Sequence, residues 1–168
     1  MIAVAFIYAS ALGKSEADER AAFEQTLVQL DRLAVPHAMV SRSGRHGAQR
    51  DAQAIGYTGA VLSDDGGDGD SPTGTDPLSR LPAAVGFPPD RIFCVGVDPD
   101  GDIEPARQAG MQTVWLRRVG DFPPQLPAPD HTITSMPELL EVLSGPYTRA
   151  LLGMRYVLNS VTAKPPSY

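Results

Sequence analysis

Residues 87–118 decide the fold, and they read FPPDRIFCVGVDPDGDIEPARQAGMQTVWLRR. Arg91–Val97 is rich in isoleucine, phenylalanine and valine, which predicts a buried strand. The acidic stretch that follows leads into a predicted helix over Asp102–Ala109, with Asp102 as its N-cap and a glycine directly after its end. A second predicted strand, Gln112–Leu116, comes next. Two strands joined through a short helix form the parallel crossover unit from which α/β sheets are built.

Strands and helices alternate over most of the remaining chain. Met1–Ala9 is a continuous apolar run, typical of a central parallel strand that is covered on both faces. Further strands are predicted at His37–Ser41, Gly59–Leu62 and His131–Thr134. Further helices are predicted over about 16–34, Ser43–Ile55, Leu78–Val85 and about Pro137–Leu143. The alternation predicts an α/β fold with a doubly wound, Rossmann-like parallel sheet of about five strands.

Composition and charge limit the functions to be considered. The chain has 168 residues, 42% of them apolar, which fits one domain with a substantial core. Its net charge of −6 argues against a nucleic-acid surface, because binding phosphates needs clustered positive charge. No apolar run approaches the roughly 20 residues of a membrane span. A single cysteine, Cys94, excludes a disulfide within the chain and favours a reducing compartment, so we expect a cytoplasmic protein.

The sequence divides at about residue 145. Residues 1–145 hold all of the alternating elements and are predicted to form the α/β domain. Residues 146–168 exceed what the sheet needs, and their apolar residues recur as in a helix. We predict a C-terminal helical tail that packs on its own domain, with a homodimer or another partner contact as the alternative.

The acidic region within residues 87–118 resembles the fourth motif of the haloacid dehalogenase-like (HAD) superfamily. In that family a strand ends in Gly-Asp, a short acidic loop reaches a second Asp, and a helix leads to Ala-Gly and a strand of the Thr-Val-Trp type. Here the acidic loop, the helix, Ala-Gly and the following strand come in the same order, although the first strand ends in Gly96-Val97 with Asp98 one residue further on. The order of the other elements also fits, so the resemblance covers roughly residues 1–145 and implies the HAD-like fold.

HAD phosphohydrolases use four short motifs, and the resemblance assigns residues of this chain to their positions. The family's first strand carries an Asp nucleophile and, two residues on, an Asp general acid/base. These two positions fall on Ile7 and Ala9. The second strand of the family carries a phosphate-binding Ser or Thr, which is Ser41 here, and the motif lysine falls near Gly74.

The fourth motif of the family holds Mg²⁺ with two aspartates. The first of these positions falls on Val97, with Asp98 adjacent, and the second falls on Asp102. Asp98, Asp100 and Asp102 also resemble the start of a calcium loop, in which alternating aspartates converge on one cation. The alternative is an exposed loop in which Asp102 only caps the helix. We expect no cofactor. The alternative is that Asp98 and Asp102 bind Mg²⁺.

Ile7 and Ala9 change the predicted function. Neither side chain can attack phosphorus or carry a proton, so hydrolysis by the family's usual mechanism is not expected. We predict a non-hydrolytic pseudoenzyme with a ligand-binding, regulatory or accessory role. One alternative is a Mg²⁺-dependent HAD-type phosphatase or hydrolase with relocated carboxylates, and a second is a non-hydrolytic biosynthetic enzyme of the cyclase or isomerase type. The relocated carboxylates would be Asp98, Asp102 and either Asp64 or Asp65.

The spacing of the motifs leaves little room for an inserted cap domain. About two dozen residues separate the first motif from the second strand, and fewer than twenty separate the second strand from the third. Each gap accommodates one helix. We therefore predict a capless protein with an open face at the strand ends, where a protein partner or a small-molecule ligand binds.

The end of the second predicted strand is the best candidate for a ligand pocket. Ser41, Arg42 and Ser43 lie where this strand ends and a helix begins, so hydroxyls, a guanidinium and free helix amides converge there. Ser10, after the first strand, lies at the same end of the sheet. These four residues are predicted to bind an anion or another ligand, and the alternative is a capped helix with solvated arginines.

The remaining polar and reactive residues favour structural roles. Cys94 and Trp115 lie within predicted strands and are expected in the core. The three histidines show no metal-ligand spacing. Asp64–Asp76 is a Gly/Asp-rich stretch and is predicted to be a flexible connector, with a metal or basic-partner site as the alternative.

Overall fold

The computed structural model describes residues 1–7, 17–64 and 76–145, without the side chain of residue 43. Within these ranges six parallel strands form one sheet in the order β3-β2-β1-β4-β5-β6. The strands are β1 (Ala3–Ile7), β2 (His37–Gly44), β3 (Ala60–Asp64), β4 (Ile92–Gly96), β5 (Gln112–Leu116) and β6 (His131–Ile133). The helices are α1 (Ala17–Arg32), α2 (Arg45–Ala54), α3 (Pro77–Val85), α4 (Glu104–Gln108) and α5 (residues 138–145). The doubly wound parallel α/β sheet is confirmed, and the short edge strand β6 makes six strands rather than about five.

The strand order reverses between β1 and β4. From β1 the chain builds outward through β2 to β3, and it then returns to β4 and builds through β5 to β6 on the other side. The two strands at the reversal pair in parallel, with Phe6 opposite Val95. Ligands of open α/β sheets bind where the order reverses, outside the carboxyl ends of the strands. In this chain that place lies between Ile7 at the end of β1 and Gly96 at the end of β4.

Strand β1 lies at the centre of the core. All five of its residues are buried, which confirms the prediction from its continuous apolar run. On one face of the sheet Phe6 packs edge-to-face on Phe23 of α1, with ring centroids 5.0 Å apart, and α5 contributes Leu139. The other face carries small side chains such as Ala5 and Ala38 and is covered by α3 and α4. Helices therefore cover both faces, as a doubly wound sheet requires.

Helix α3 begins near the carboxyl ends of β2 and β3. Asp76 is its N-cap, because one carboxylate oxygen accepts a hydrogen bond from the backbone N–H of Leu78 at 3.1 Å. Pro77 occupies the first turn, where its missing N–H breaks no helical hydrogen bond. Gly86 ends the helix in the left-handed conformation, at φ 76°. The cap fixes the position of Asp76 at this end of the sheet.

No separate cap domain is evident in the described segments. The connections from β1 to β2 and from β2 to β3 contain α1 and α2 respectively. In the part of the chain that the structure describes, no helix has both the length and the apolarity needed to cross a bilayer. The predicted tail, residues 146–168, lies outside the described residues.

Candidate functional site

Strand β1 ends in an apolar side chain at the position where the HAD resemblance implies the nucleophile. Ile7 is 1% exposed and packs among buried residues of β1, β2, β4 and α3. Its neighbours in this cluster include Val40, Leu78 and Cys94. The side chain of residue 7 therefore offers no oxygen to a phosphorus atom or a metal ion. The predicted positions Ala9 and Ser10 lie outside the described residues.

Strand β4 ends in a loop that a buried carboxylate holds in place. Asp102 is 1% exposed, and its Oδ2 accepts hydrogen bonds from the backbone N–H groups of Val97, at 3.0 Å, and Asp98, at 2.9 Å. The indole Nε1 of Trp115 donates to the carbonyl oxygen of Val97 at 2.9 Å. Side chains thus satisfy both the N–H and the carbonyl of Val97.

Gly96 makes the inward orientation of Asp102 possible. A Cβ atom at Gly96 would lie only 2.4 Å from the Cβ of Asp102, which is closer than two such atoms approach. The absence of a side chain at residue 96 therefore leaves the space that Asp102 occupies. In the sequence, the feature that could have indicated this arrangement is a glycine at the end of a predicted strand, six residues before an aspartate.

The prediction that Asp102 is the exposed N-cap of the helix is wrong. The chain after Asp98 forms a π-helical turn over Pro99–Ile103, and α4 begins at Glu104. Asp98 caps this turn, because its Oδ1 accepts from the N–H of Asp100 at 3.2 Å. Asp102 turns back toward the strand because the two N–H groups there would otherwise be left without a partner.

The described residues do not fit the Mg²⁺ ion that the HAD resemblance implies. Mg²⁺ prefers an octahedron of oxygen atoms, usually including one or two carboxylates. Ile7 and Val97 supply no side-chain oxygen at two of the family's positions, and Oδ2 of Asp102 already accepts two amide N–H groups. Across residues 1–7, 17–64 and 76–145, no three His, Cys, Asp or Glu side chains are grouped so that they could hold a metal.

A cleft of about 390 Å³ opens beside Ile7, at the carboxyl ends of β1, β2 and β3. Its walls include apolar side chains such as Val40 and Leu78. Its charged lining consists of Arg42, Asp64 and Asp76. This arrangement suits a ligand with an apolar part and at least one charged group. We call these six residues the strand-end cleft.

The structure brings one of the four predicted ligand-binding residues to the strand-end cleft. Arg42 is exposed and lines the cleft, whereas Ser41 is fully buried within β2. The strand continues through Gly44, so α2 begins at Arg45 rather than at Ser43, and no side chain caps it. The side chain of Ser43 and residue Ser10 are outside the description. Binding at these positions stays a prediction.

A second cleft, of about 340 Å³, lies at the carboxyl ends of β5 and β6. Arg118 and Glu19 form an ion pair across it, with a 2.5 Å separation, although 99 residues separate them in sequence. The hydroxyls of Thr134 and Ser135 donate to the carboxylate of Glu138, and these bonds lower its pKa. These polar groups of the second cleft are thus bonded to one another. No pattern in the sequence predicted the ion pair between Arg118 and Glu19, because the two residues are so far apart along the chain.

Cys94 and His37 lie away from the two clefts described above, and the prediction that Cys94 is a core residue is confirmed. Burial, together with the nearby carboxylate of Asp102, raises the pKa of the Cys94 thiol to about 12, so Cys94 is a core residue and not a nucleophile. At the opposite end of the sheet, Nε2 of His37 lies 3.1 Å from Oδ1 of Asp31, and its Nδ1 lies 2.8 Å from the hydroxyl of Tyr57. His37 thereby connects the end of α1 with the segment before β3.

Solved structures similar to this chain are HAD proteins. An L-2-haloacid dehalogenase has 25% identity and a TM-score of 0.60, over 71% of this chain and 54% of its own. An HAD phosphatase from Thermococcus onnurineus has 22% identity and a TM-score of 0.58, over 72% of this chain and 56% of its own. An HAD family hydrolase from Deinococcus radiodurans, with bound phosphate and sodium, has 24% identity and a TM-score of 0.56, over 76% of this chain and 58% of its own.

The chain therefore has the HAD-like fold, and the resemblance noted from residues 87–118 is confirmed at the level of the fold. The similar structures are named as phosphatases, dehalogenases and hydrolases. This chain spans little more than half the length of each of the three. No family model matches the sequence, and no curated protein matches it.

Proposed function

We propose that this chain is a non-hydrolytic HAD-fold protein that binds a ligand in the strand-end cleft and has a regulatory or accessory role. Ile7 is the observation that carries the proposal. Its buried, apolar side chain occupies the end of β1, where the family resemblance implies a reactive carboxylate. HAD phosphohydrolases attack phosphorus in line with a carboxylate, and the side chain at this position supplies no such nucleophile.

The loop after β4 supports the same proposal. Asp102, at the position of a metal-binding aspartate in the family resemblance, is buried and bonded to two backbone N–H groups. Its carboxylate therefore stabilises the loop. The charged groups that face an open volume, Arg42, Asp64 and Asp76, are instead in the cleft. Binding without hydrolysis is the function that fits both regions.

Turnover of a generic phosphomonoester tests the proposal. We expect p-nitrophenyl phosphate with MgCl₂ to be hydrolysed no faster by the full chain than by buffer alone. The Asp98→Asn variant serves as the comparison, because Asp98 is an acidic residue of the fourth-motif region. Mg²⁺-dependent turnover that Asp98→Asn removes would overturn the proposal.

Binding is tested with inorganic phosphate as the probe. We expect phosphate to raise the unfolding temperature of the wild-type chain, because Arg42 presents a guanidinium at the cleft. Arg42→Gln should remove this stabilisation, whereas Arg20→Gln, an exposed arginine on α1, should retain it. Equal stabilisation of both variants would show that Arg42 does not bind the anion.

One observation favours the alternative of a hydrolase with relocated carboxylates. Asp64 lines the same cleft as Ile7, so a carboxylate does lie near the end of β1. Under this alternative, Asp64→Asn would abolish Mg²⁺-dependent turnover in the same assay. Under our proposal there is no such turnover for this substitution to remove.

A further inference from the structure

The strand-end cleft has an apolar inner wall and a charged rim. Arg42 follows Val40 by two residues on β2, and alternation along a strand places two such side chains on one face of the sheet. Both line the cleft, as does Asp64 at the end of β3. Ile7 and Val40 belong to a buried apolar cluster, whereas Arg42 is exposed and Asp64 is half-buried. The cleft therefore extends this part of the core outward to a rim of charges.

The rim carries charges of both signs. Among the lining residues that the structure describes, Arg42 is the cation, and Asp64 and Asp76 supply two carboxylates. Asp76 is held in place as the cap of α3, because its Oδ1 accepts the N–H of Leu78. A ligand that covers this rim and leaves a charge unpaired pays for the lost hydration of that charge. A ligand that satisfies the rim must therefore present both an anionic and a cationic group.

The helices that begin at the cleft lack the amide groups that bind phosphate at many helix N-termini. Pro77 in the first turn of α3 and Pro105 in the first turn of α4 both line the cleft, and proline has no N–H. The next two N–H groups of α3, those of Leu78 and Ser79, are bonded to Asp76. In the described lining, inorganic phosphate has the guanidinium of Arg42 as its cationic partner and is repelled by two carboxylates.

The size of the cleft limits the ligand further. Its volume of about 390 Å³ is near the lower end of the range for ligand pockets, about 300–1,000 Å³. The side chains of its inner wall, Ile7, Val40 and Leu78, are all aliphatic. The cleft therefore suits a small molecule that joins an aliphatic group to one positive and one negative charge.

We propose that the strand-end cleft binds an aliphatic amino acid in its zwitterionic form. The carboxylate of the ligand pairs with the guanidinium of Arg42, and its ammonium group pairs with the carboxylate of Asp64. Its aliphatic side chain packs against Ile7, Val40 and Leu78. This inference rests on the proposed function and names the chemical class of its ligand.

Isothermal titration calorimetry with L-leucine as the probe tests the proposal. Two analogues are the comparison: 3-methylbutylamine lacks the carboxylate, and 4-methylpentanoate lacks the ammonium group. We expect L-leucine to bind the full chain about tenfold more tightly than either analogue, because each analogue leaves one charge of the rim unpaired. No binding of L-leucine, or binding of either analogue as tightly as L-leucine, would overturn the proposal.

Asp64→Asn is the sharpest variant, because its expected effects on two probes have opposite signs. It should weaken the binding of L-leucine about tenfold, since the ammonium group loses its partner. It should strengthen the binding of inorganic phosphate, since a like charge is removed. Asp90→Asn, an exposed aspartate before β4, is the matched control and should change neither affinity. A change in the same direction for both probes would overturn the pairing of Asp64 with the ammonium group.

The two probes also separate the failure of this inference from the failure of the proposed function. Arg42→Gln should weaken the binding of both probes, because each presents an anionic group to the guanidinium. If phosphate binds through Arg42 and L-leucine does not bind, the cleft is a ligand site but the amino-acid assignment is wrong. If neither probe binds, the proposed function and this inference both fail.

Discussion

The loop after β4 and the strand-end cleft lie at the same end of the sheet but use their charged groups differently. In the loop, Asp102 is buried and bonded to two backbone N–H groups, and Trp115 bonds the carbonyl of Val97. In the cleft, Arg42 is exposed and Asp64 is half-buried, and both face an open volume. A charge that is already bonded within the protein stabilises the fold, whereas a charge that faces a cleft can bind a ligand. The predictions below test this difference.

Asp102→Ala should have the largest effect on stability. The substitution leaves two N–H groups at the end of β4 without an acceptor, which should lower the free energy of unfolding by about 3 kcal/mol. Urea unfolding measures this change, and Trp115, the only tryptophan of the sequence, reports it by fluorescence. Asp100→Asn, in the same loop and exposed, is the control and should change stability by less than about 0.5 kcal/mol. Equal effects of the two substitutions would contradict the role of Asp102.

Gly96→Ala should be the next most damaging substitution, at about 2 kcal/mol, because the new Cβ would lie 2.4 Å from the Cβ of Asp102. Gly44→Ala is the matched control, since no atom lies within 4 Å of a Cβ there and its φ is −57°. It should cost less than Gly96→Ala, because the one expected penalty is that alanine is a poorer N-cap residue of α2 than glycine. In an Asp102→Gly background, which removes the Cβ of residue 102, Gly96→Ala should cost much less. Additive effects in that double-mutant cycle would show that the two residues act independently.

Substitutions in the cleft should change binding more than stability. Asp64→Asn removes a carboxylate from a cleft that also contains Arg42, so it should alter the unfolding free energy by less than about 0.5 kcal/mol. It should strengthen the binding of inorganic phosphate several-fold, because a like charge is removed from the surroundings of the anion. Isothermal titration calorimetry measures the affinity. Weaker phosphate binding in Asp64→Asn would place the anion elsewhere.

Glu138 should give the smallest effect, and only in acid. Hydrogen bonds from Thr134 and Ser135 lower its pKa below the ordinary value of 4.5, so the folded state favours the charged form. This stabilisation is present above about pH 4.5 and is lost as the pH falls through the lowered pKa. Glu138→Gln should therefore reduce the change in the urea midpoint between about pH 6 and pH 3. Glu141→Gln, an exposed residue of the same helix, should leave that change intact.

The elements that depend on local patterns could be predicted from the sequence, and the contacts between distant residues could not. The continuous apolar run of β1 and the β4-α4-β5 unit both gave the correct strands, because burial on both faces leaves a continuous apolar signal. The orientation of Asp102 could not be predicted, since it depends on a space at Gly96 that exists only in the folded chain. The prediction of helix capping failed there because a buried pair of N–H groups competes for the same carboxylate.

Part of the candidate site was also predictable. The absence of a carboxylate at Ile7 follows from the sequence as soon as β1 is assigned. Arg42 was predicted at the strand ends and lies there. Asp76 was not singled out, because its place in the cleft results from its role as the cap of α3. The ion pair between Glu19 and Arg118 joins α1 to the end of β5, and no local pattern indicates such a pair.

The apolar surroundings of Ile7 determine what it would take to place a carboxylate at the end of β1. An Ile7→Asp substitution would put a carboxylate beside buried alanine, valine and leucine side chains, and a charge left unpaired in such surroundings costs several kcal/mol. That cost is a large part of the total stability of a domain, which is about 5–15 kcal/mol. A nucleophile engineered at residue 7 would therefore need polar neighbours introduced together with it.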